Sequence, residues 1–366
     1  MKKTNFILNF DDVKRFLTYT KNYLTITTKI IMKKLAMGID IGGTNTAFGL
    51  VDEEGTIFCE SAISTERYKK FDDYESYVKT LCESMKALIG SVSFDFELIG
   101  IGIGAPNANY HKGTIETPAN LWKFRDDEPN PDESRRMFYF VDDVKKYFPG
   151  VQVLITNDAN AAAIGEGVFG NAKGMDDYVV ITLGTGLGSG IVSNGEMIYG
   201  HDGFAGEYGH IMVDSRVTGR ECGCGRRGCL EAYASATGIK RTAFELMAKM
   251  NCDSELRDTP FSKFEAVMLS IAADKGDPIA KEAFRYTGEV LGKALADLVA
   301  TTSPKAIILF GGLAKAGKYI FEPTKWYMEE NMLPTFKNKV QLLPSGIEGK
   351  NAAILGSSAL IWQKQK

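Results

Sequence analysis

Two stretches of this sequence, far apart, follow one plan. From Leu35 the apolar run LAMGIDI leads into GGTN, the return run TAFGLVD and the turn DEEG before TIFCE; from Asp177, DYVVITL leads into GTG, LGSGIVS and an Asn194-Gly195 turn. Each is a buried strand, a glycine turn holding a threonine, and a strand running back. A chain that uses this design twice is expected to fold as two similar halves facing one nucleotide. At Gly42 and Gly43 the missing Cβ lets backbone approach a phosphate closely, the Thr44 hydroxyl can donate, and Asp40 at the strand end can hold a magnesium-bound water. Gly184, Thr185 and Gly186 would form the second phosphate clamp. In KAIILFGGL a third buried strand ends at Gly311 and Gly312, leaving room for an adenine and ribose.

One segment carries different chemistry. GEYGHIMVDSRVTGRECGCGRRGCLE holds His210, Cys222, Cys224 and Cys229, and one imidazole with three thiolates is a tetrahedral zinc set. Buried apolar cysteines or a disulfide are the alternatives. Neighbours in a C-x-C are poorly placed to bridge each other, and the remaining cysteines, Cys59, Cys82 and Cys252, are scattered, which suits a reducing compartment. Folding this loop on a metal brings Glu207 and Glu231 beside the imidazole, a place for hydroxyl groups.

The loop resembles the ROK family of sugar kinases and sugar-responsive repressors, whose mark is E-x-G-H followed by C-x-C-G-x-x-G-C-x-E. Glu207, Gly209, His210, Cys222, Cys224, Gly225, Gly228, Cys229 and Glu231 supply every element. The resemblance implies a structural zinc, with His210, Glu207 and Glu231 on the sugar. The two hairpins and KAIILFGGL likewise resemble the phosphate-1, phosphate-2 and adenosine motifs of the actin-like ATPase fold. No G-x-x-x-x-G-K-[ST] is present, so this is not a P-loop enzyme.

VQVLITNDANAAAIGEG delivers Asn157 and Asp158 from a buried strand into an alanine-rich helix. Asp158 can cap that helix. It also stands where a general base would, at the carboxyl end of a strand near a domain junction. In the resembled kinases the matching N-D pair binds the sugar and its aspartate takes the proton of the hydroxyl that is phosphorylated. Asn120, in ETPANLW, resembles an asparagine those kinases place against the sugar, and Trp122 could stack on a pyranose face.

The rest of the chain sets limits. A net charge of −3 over 366 residues gives no basic excess for nucleic acid or anionic membrane. No apolar run approaches the ~20 residues of a membrane span, and the start lacks the features of a signal peptide, so a cytoplasmic protein is expected. Residues 1–32 are expected to be an N-terminal extension, and deleting residues 1–31, which carry no motif, is expected to leave activity and stability unchanged. The expected fold is α/β, a two-domain ribonuclease-H/actin-like ATPase with a zinc-binding loop. Residues 33–155 plus 350–366 would form the small domain and 156–349 the large one, and the protein is expected to self-associate as a homodimer or higher homo-oligomer.

Together these features predict ATP-dependent, magnesium-assisted phosphorylation of a hexose, foremost glucose on its 6-hydroxyl. N-acetylhexosamine, mannose or fructose are rival acceptors, and polyphosphate a rival donor. A sugar-responsive repressor is the rival of another class; such proteins carry a DNA-binding domain ahead of the first strand, where this chain has 34 residues. The glycine hairpins lie far from the zinc loop in sequence, so nucleotide binding is expected to be insensitive to changes in that loop.

Overall fold

The computed structural model describes residues 32–70, 73–117, 121, 137–347, 349 and 351–365. Residues 1–31, Asn120 and Trp122 lie outside that set. Lys33–Ile41 (β1), Asn45–Val51 (β2) and Ile57–Ser64 (β3) form an antiparallel meander, and Phe96–Gly104 (β4) lies parallel to β1. Three short strands, Ala108–Asn109 (β5), Thr114–Glu116 (β6) and Met137–Phe138 (β7), make a small separate sheet. Val153–Thr156 (β8) then pairs in parallel with β4, giving the five-stranded order β3-β2-β1-β4-β8.

The second sheet repeats this strand for strand. Tyr178–Leu183 (β9), Leu187–Ser193 (β10) and Glu196–Met197 (β11) form the meander, while Ala306–Phe310 (β12) and Gln341–Pro344 (β13) add in parallel, in the order β11-β10-β9-β12-β13. The duplication expected from the two hairpins is therefore present in the whole sheet topology.

Each sheet is covered on both faces. Alternation along β1 sends Leu35, Met37, Ile39 and Ile41 to one side, where they pack with Tyr77, Leu81 and Met85 of the helix Tyr74–Gly90 and with Phe140 and Val144 of the helix Phe140–Tyr147. Helix Tyr74–Gly90 begins where the Asp73 side chain accepts from Ser76 N–H at 3.1 Å. The second sheet has its own outer core, built from Val179, Ile181 and Leu183 with Leu291, Leu295 and Leu298 of the long helix Pro278–Thr302. Burying each such side chain contributes about 1.5–3 kcal/mol.

On the opposite faces of the two sheets, glycines let helices approach closely. A Cβ at Gly100 of β4 would lie 2.8 Å from Ile361 Cδ1, and one at Gly38 of β1 would lie 2.9 Å from Ser358 N, so only glycine lets the terminal helix Ala352–Trp362 rest on the first sheet. Gly188 and Gly190 of β10 do the same for the central helix Asp158–Val168, where a Cβ would come 2.9 Å from Ala159 Cβ and 2.9 Å from Ala159 O respectively. The central and terminal helices meet each other between the sheets, and Ala161–Ile164, Val180, Ile308, Leu360 and Trp362 form one core shared by both halves. The chain crosses between halves twice, at Thr156–Asp158 and between Pro344 and Ala352. From these contacts we propose domain limits of 33–155 with 350–366 and 156–349.

Candidate active site

A cleft of about 500 Å³ opens between the halves, and Asp40, Asn157, Asp158, Gly184, Thr185, Gly186, Glu207, His210, Glu231 and Gly311 all line it. Strand β8 ends at Thr156, and the next two residues start the central helix. Asn157 is extended (φ −61°, ψ 149°) and its side chain accepts from Ala159 N–H at 2.8 Å, so Asn157 is the N-cap. The sequence reading gave that role to Asp158. Asp158 is instead the first helical residue, although its Oδ1 also accepts from Ala159 N–H at 2.8 Å. Both residue types cap equally well, and the backbone conformation of the preceding residue decides between them.

Asp158 is open to the cleft, yet the cleft walls strip water from it and hold its carboxyl above the ordinary carboxylate value. Asp40 follows Gly38 on the inward face of β1. Burial first, and then the charge of Asp158, pushes its carboxyl up to about 6. Glu207 is raised by burial, with Asp158 and Glu231 adding to the effect and His210 opposing it. Four carboxylates around one cavity favour cations and hydroxyl donors.

The second glycine turn closes through Gly184 N–H to Gly186 O at 3.0 Å. Among the described residues no group accepts from the Thr185 and Gly186 amides, which leaves two donors at the turn for an anionic ligand. Gly42, Gly43 and Thr44 form the corresponding turn after Asp40, where the Thr44 carbonyl accepts from the amides of Thr65 and Glu66 at 2.9 and 3.0 Å. They are not among the residues walling the cleft. Gly312 lines a smaller apolar cavity of about 150 Å³ together with Gly311, Phe310, Lys315, Ser345 and Ile347.

His210, Cys222, Cys224 and Cys229 offer ligand atoms that all lie within 4.8 Å of one another. Zinc–ligand lengths in a tetrahedron place sulfurs about 3.8 Å apart and a sulfur and nitrogen about 3.6 Å apart. The Cys224–Cys229 sulfurs are 3.7 Å apart and Cys222 Sγ is 3.7 Å from His210 Nδ1, so the donor set fits zinc. His210 turns its other nitrogen, Nε2, toward Glu207 Oε2 at 3.9 Å. The loop is held by Arg220, a buried guanidinium that donates to Glu245, Thr242 and the carbonyls of Ala232 and Gly238.

Sequence reasoning missed Arg220, and also Ala353 and Ser357, which the terminal helix contributes to the cleft wall. It missed Glu166, whose signal was available: a carboxylate two turns beyond Asp158 in an alanine-rich helix that must be buried on several sides.

The chain matches the ROK family profile over residues 36–364. It is 33% identical over 338 residues to a glucokinase of Thermotoga maritima, covering 91% of this chain and 99% of that protein. It is 29% identical to a xylose repressor of Bacillus subtilis, covering 89% of this chain and 76% of that protein. The crystal structure of a ROK family glucokinase from Streptomyces griseus in complex with glucose and AMPPNP has a TM-score of 0.70 and 32% identity, covering 89% of this chain and 98% of that one. The two α/β halves, each on a five-stranded sheet, are the actin-like architecture of that structure. Because the matched span takes in both halves, the cleft and the His-Cys cluster, the chain belongs to the ROK family.

Proposed function

We propose that the protein is an ATP-dependent hexose kinase that phosphorylates the 6-hydroxyl of glucose. The observation that carries this reading is the position of Asp158: a carboxylate at a helix start, in one cleft with Asp40, the Gly184–Gly186 turn, and the trio Glu207, His210 and Glu231. Glucokinases at 33% identity, and a relative at 32% identity that holds glucose and AMPPNP, support the two substrates.

In the mechanism, Asp158 accepts the proton of the sugar hydroxyl as that oxygen attacks the terminal phosphorus of ATP, and the bond from that phosphorus to ADP breaks. Asn157 orients the sugar beside it, with Asn120 as a further proposed contact. Magnesium, when bound, neutralises charge on the phosphates, and Asp40 would hold it through a water. Amides of the glycine turns stabilise charge on the transferred group, and Gly311 and Gly312 leave space for the adenosine. Closing the halves excludes water, which competes with the sugar. We assign the His-Cys cluster a structural zinc, since four protein ligands leave no open position. Thiolate ligands need a reducing compartment, which supports a cytoplasmic location. We extend the reading to a homo-oligomer; exposed Val267, Ile271 and Trp326 offer apolar surface for it, and the molar mass in solution tests this.

Glucose, mannose, fructose and N-acetylhexosamines, each assayed with magnesium–ATP and with polyphosphate, test the reading. Glucose with ATP is expected to give the highest kcat/KM. A different best pair would replace the substrate and keep the chemistry. No turnover with any pair, while sugar binding persists, would overturn the kinase in favour of a sugar-responsive repressor.

A further inference from the structure

Glu231 spans two sites that lie far apart in sequence. Its Oε2 accepts from Leu187 N–H at 2.9 Å, at the foot of the Gly184–Gly186 turn, and its Oε1 lies 3.4 Å from Sγ of Cys222, one of the four cluster donors. Gly186 makes the contact possible, because a Cβ there would overlap the Glu231 carboxylate. Two more bonds tie the turn to the chain just after Glu231: Ala236 N–H donates to Gly184 O at 2.9 Å, and the Thr237 hydroxyl donates to Thr185 O at 2.9 Å. Although the two lie far apart in sequence, the turn rests on the loop.

We infer that Glu231 is a positioning residue that couples the zinc cluster to the phosphate turn, so that the state of the cluster sets nucleotide affinity as well as sugar affinity. The inference rests on the reading of the cleft as a kinase site. In a metal-bound cluster Cys222 is a thiolate with no proton to give. Oε1 of Glu231 is then left to accept from a sugar hydroxyl, while Oε2 stays on Leu187 N–H. One carboxylate thus touches the sugar, the cluster and the turn. Its hold on Leu187 fixes the turn in which the Thr185 and Gly186 amides stand, and preorganised donors of this kind lose most of their value when they must be realigned on binding.

The test measures binding of magnesium–AMPPNP to the full chain by calorimetry, without sugar, alongside zinc content and melting temperature. Glu231→Ala should keep its zinc and bind the analogue roughly 5- to 30-fold more weakly. Glu231→Gln should stay within about threefold of the parent, because its amide oxygen still accepts from Leu187 and its NH₂ can face the thiolate. If Glu231→Ala binds as tightly as the parent, or if Glu231→Gln loses as much as Glu231→Ala, the coupling is wrong. Should Glu231→Ala not fold, the parent stripped of zinc by a chelator and then reloaded carries the comparison. Affinity should fall and return; an affinity unchanged by stripping overturns the inference. A parent that does not bind the analogue at all sinks the kinase reading instead.

Discussion

Gly346 donates its backbone N–H to both oxygens of the Glu166 carboxylate, at 3.1 and 3.0 Å. The same carboxylate accepts from Asn171 N–H at 2.9 Å and from the Ser345 hydroxyl at 2.5 Å, and Glu166 is fully buried. Glu166 sits in the last turn of the helix that begins at Asp158, and Ser345–Gly346 begin the second crossing between halves. Both crossings are thereby fastened to one helix, the first at its start and the second near its end.

Glu166→Gln removes the charge and turns one acceptor oxygen into a donor; with the NH₂ toward Ser345 the other oxygen keeps Asn171 and Gly346, and the Ser345 hydroxyl has to turn round to accept. The expected cost is about 1–3 kcal/mol of stability. Ser345→Ala removes the bond to Glu166 and the one its hydroxyl accepts from Ile347 N–H at 3.2 Å, but it keeps the charged carboxylate with its Asn171 and Gly346 bonds and should cost less. Denaturant titrations of the two variants rank them, and equal stabilities would show that the clamp is not what holds the crossing.

The central and terminal helices touch at Gly356, where a Cβ would lie 2.8 Å from the Ala161 carbonyl oxygen and 3.1 Å from its carbon. That neighbour is backbone and cannot swing aside. Gly356→Ala should gain about 1 kcal/mol of helix propensity and lose about 1–3 kcal/mol to overpacking. A lower melting temperature is therefore expected, together with lower turnover, since each helix is seated on a different sheet. A variant that melts higher than the parent would mean that the helices can separate freely.

Asp158→Ala removes the proposed proton acceptor alone. The rate should fall by ~10²–10⁴, with sugar affinity held within about an order of magnitude. Near-parental turnover would remove Asp158 from the mechanism.

What the sequence disclosed was what is written locally. Apolar runs ending in glycine turns reported both hairpins. The four metal-ligating residues were legible because donor chemistry and spacing coincide in one loop. Contacts between distant segments were not legible. Nothing local tells that Glu231 reaches Leu187, or that Glu166 reaches a loop 180 residues further on. The helix cap went to the wrong member of the N-D pair because propensity does not separate asparagine from aspartate there. The Gly42–Thr44 turn was legible as a turn, but whether it walls the cleft depends on how the two sheets are set against each other.

Asp40 carries the sharpest pH prediction. Its carboxyl is pushed up to about 6, by burial most of all and by the charge of Asp158 next. Raised in the folded chain, it keeps its proton to higher pH than in the unfolded chain. Without a cation, Asp40 therefore contributes stability below its ordinary value of 3.8 that is lost as pH rises through about 6. A divalent cation needs the ionised form, so protons compete with magnesium below that point and its apparent affinity should fall roughly tenfold per pH unit. Asp158→Asn keeps the shape of the side chain and removes its charge. The midpoint for magnesium-dependent AMPPNP binding should then move to lower pH without reaching 3.8, because burial, the larger cause, remains. Calorimetric titrations from about pH 5 to 8 at two magnesium concentrations measure both midpoints. A midpoint that stays put in Asp158→Asn would mean that the two carboxylates do not feel each other, and that another group holds the cation.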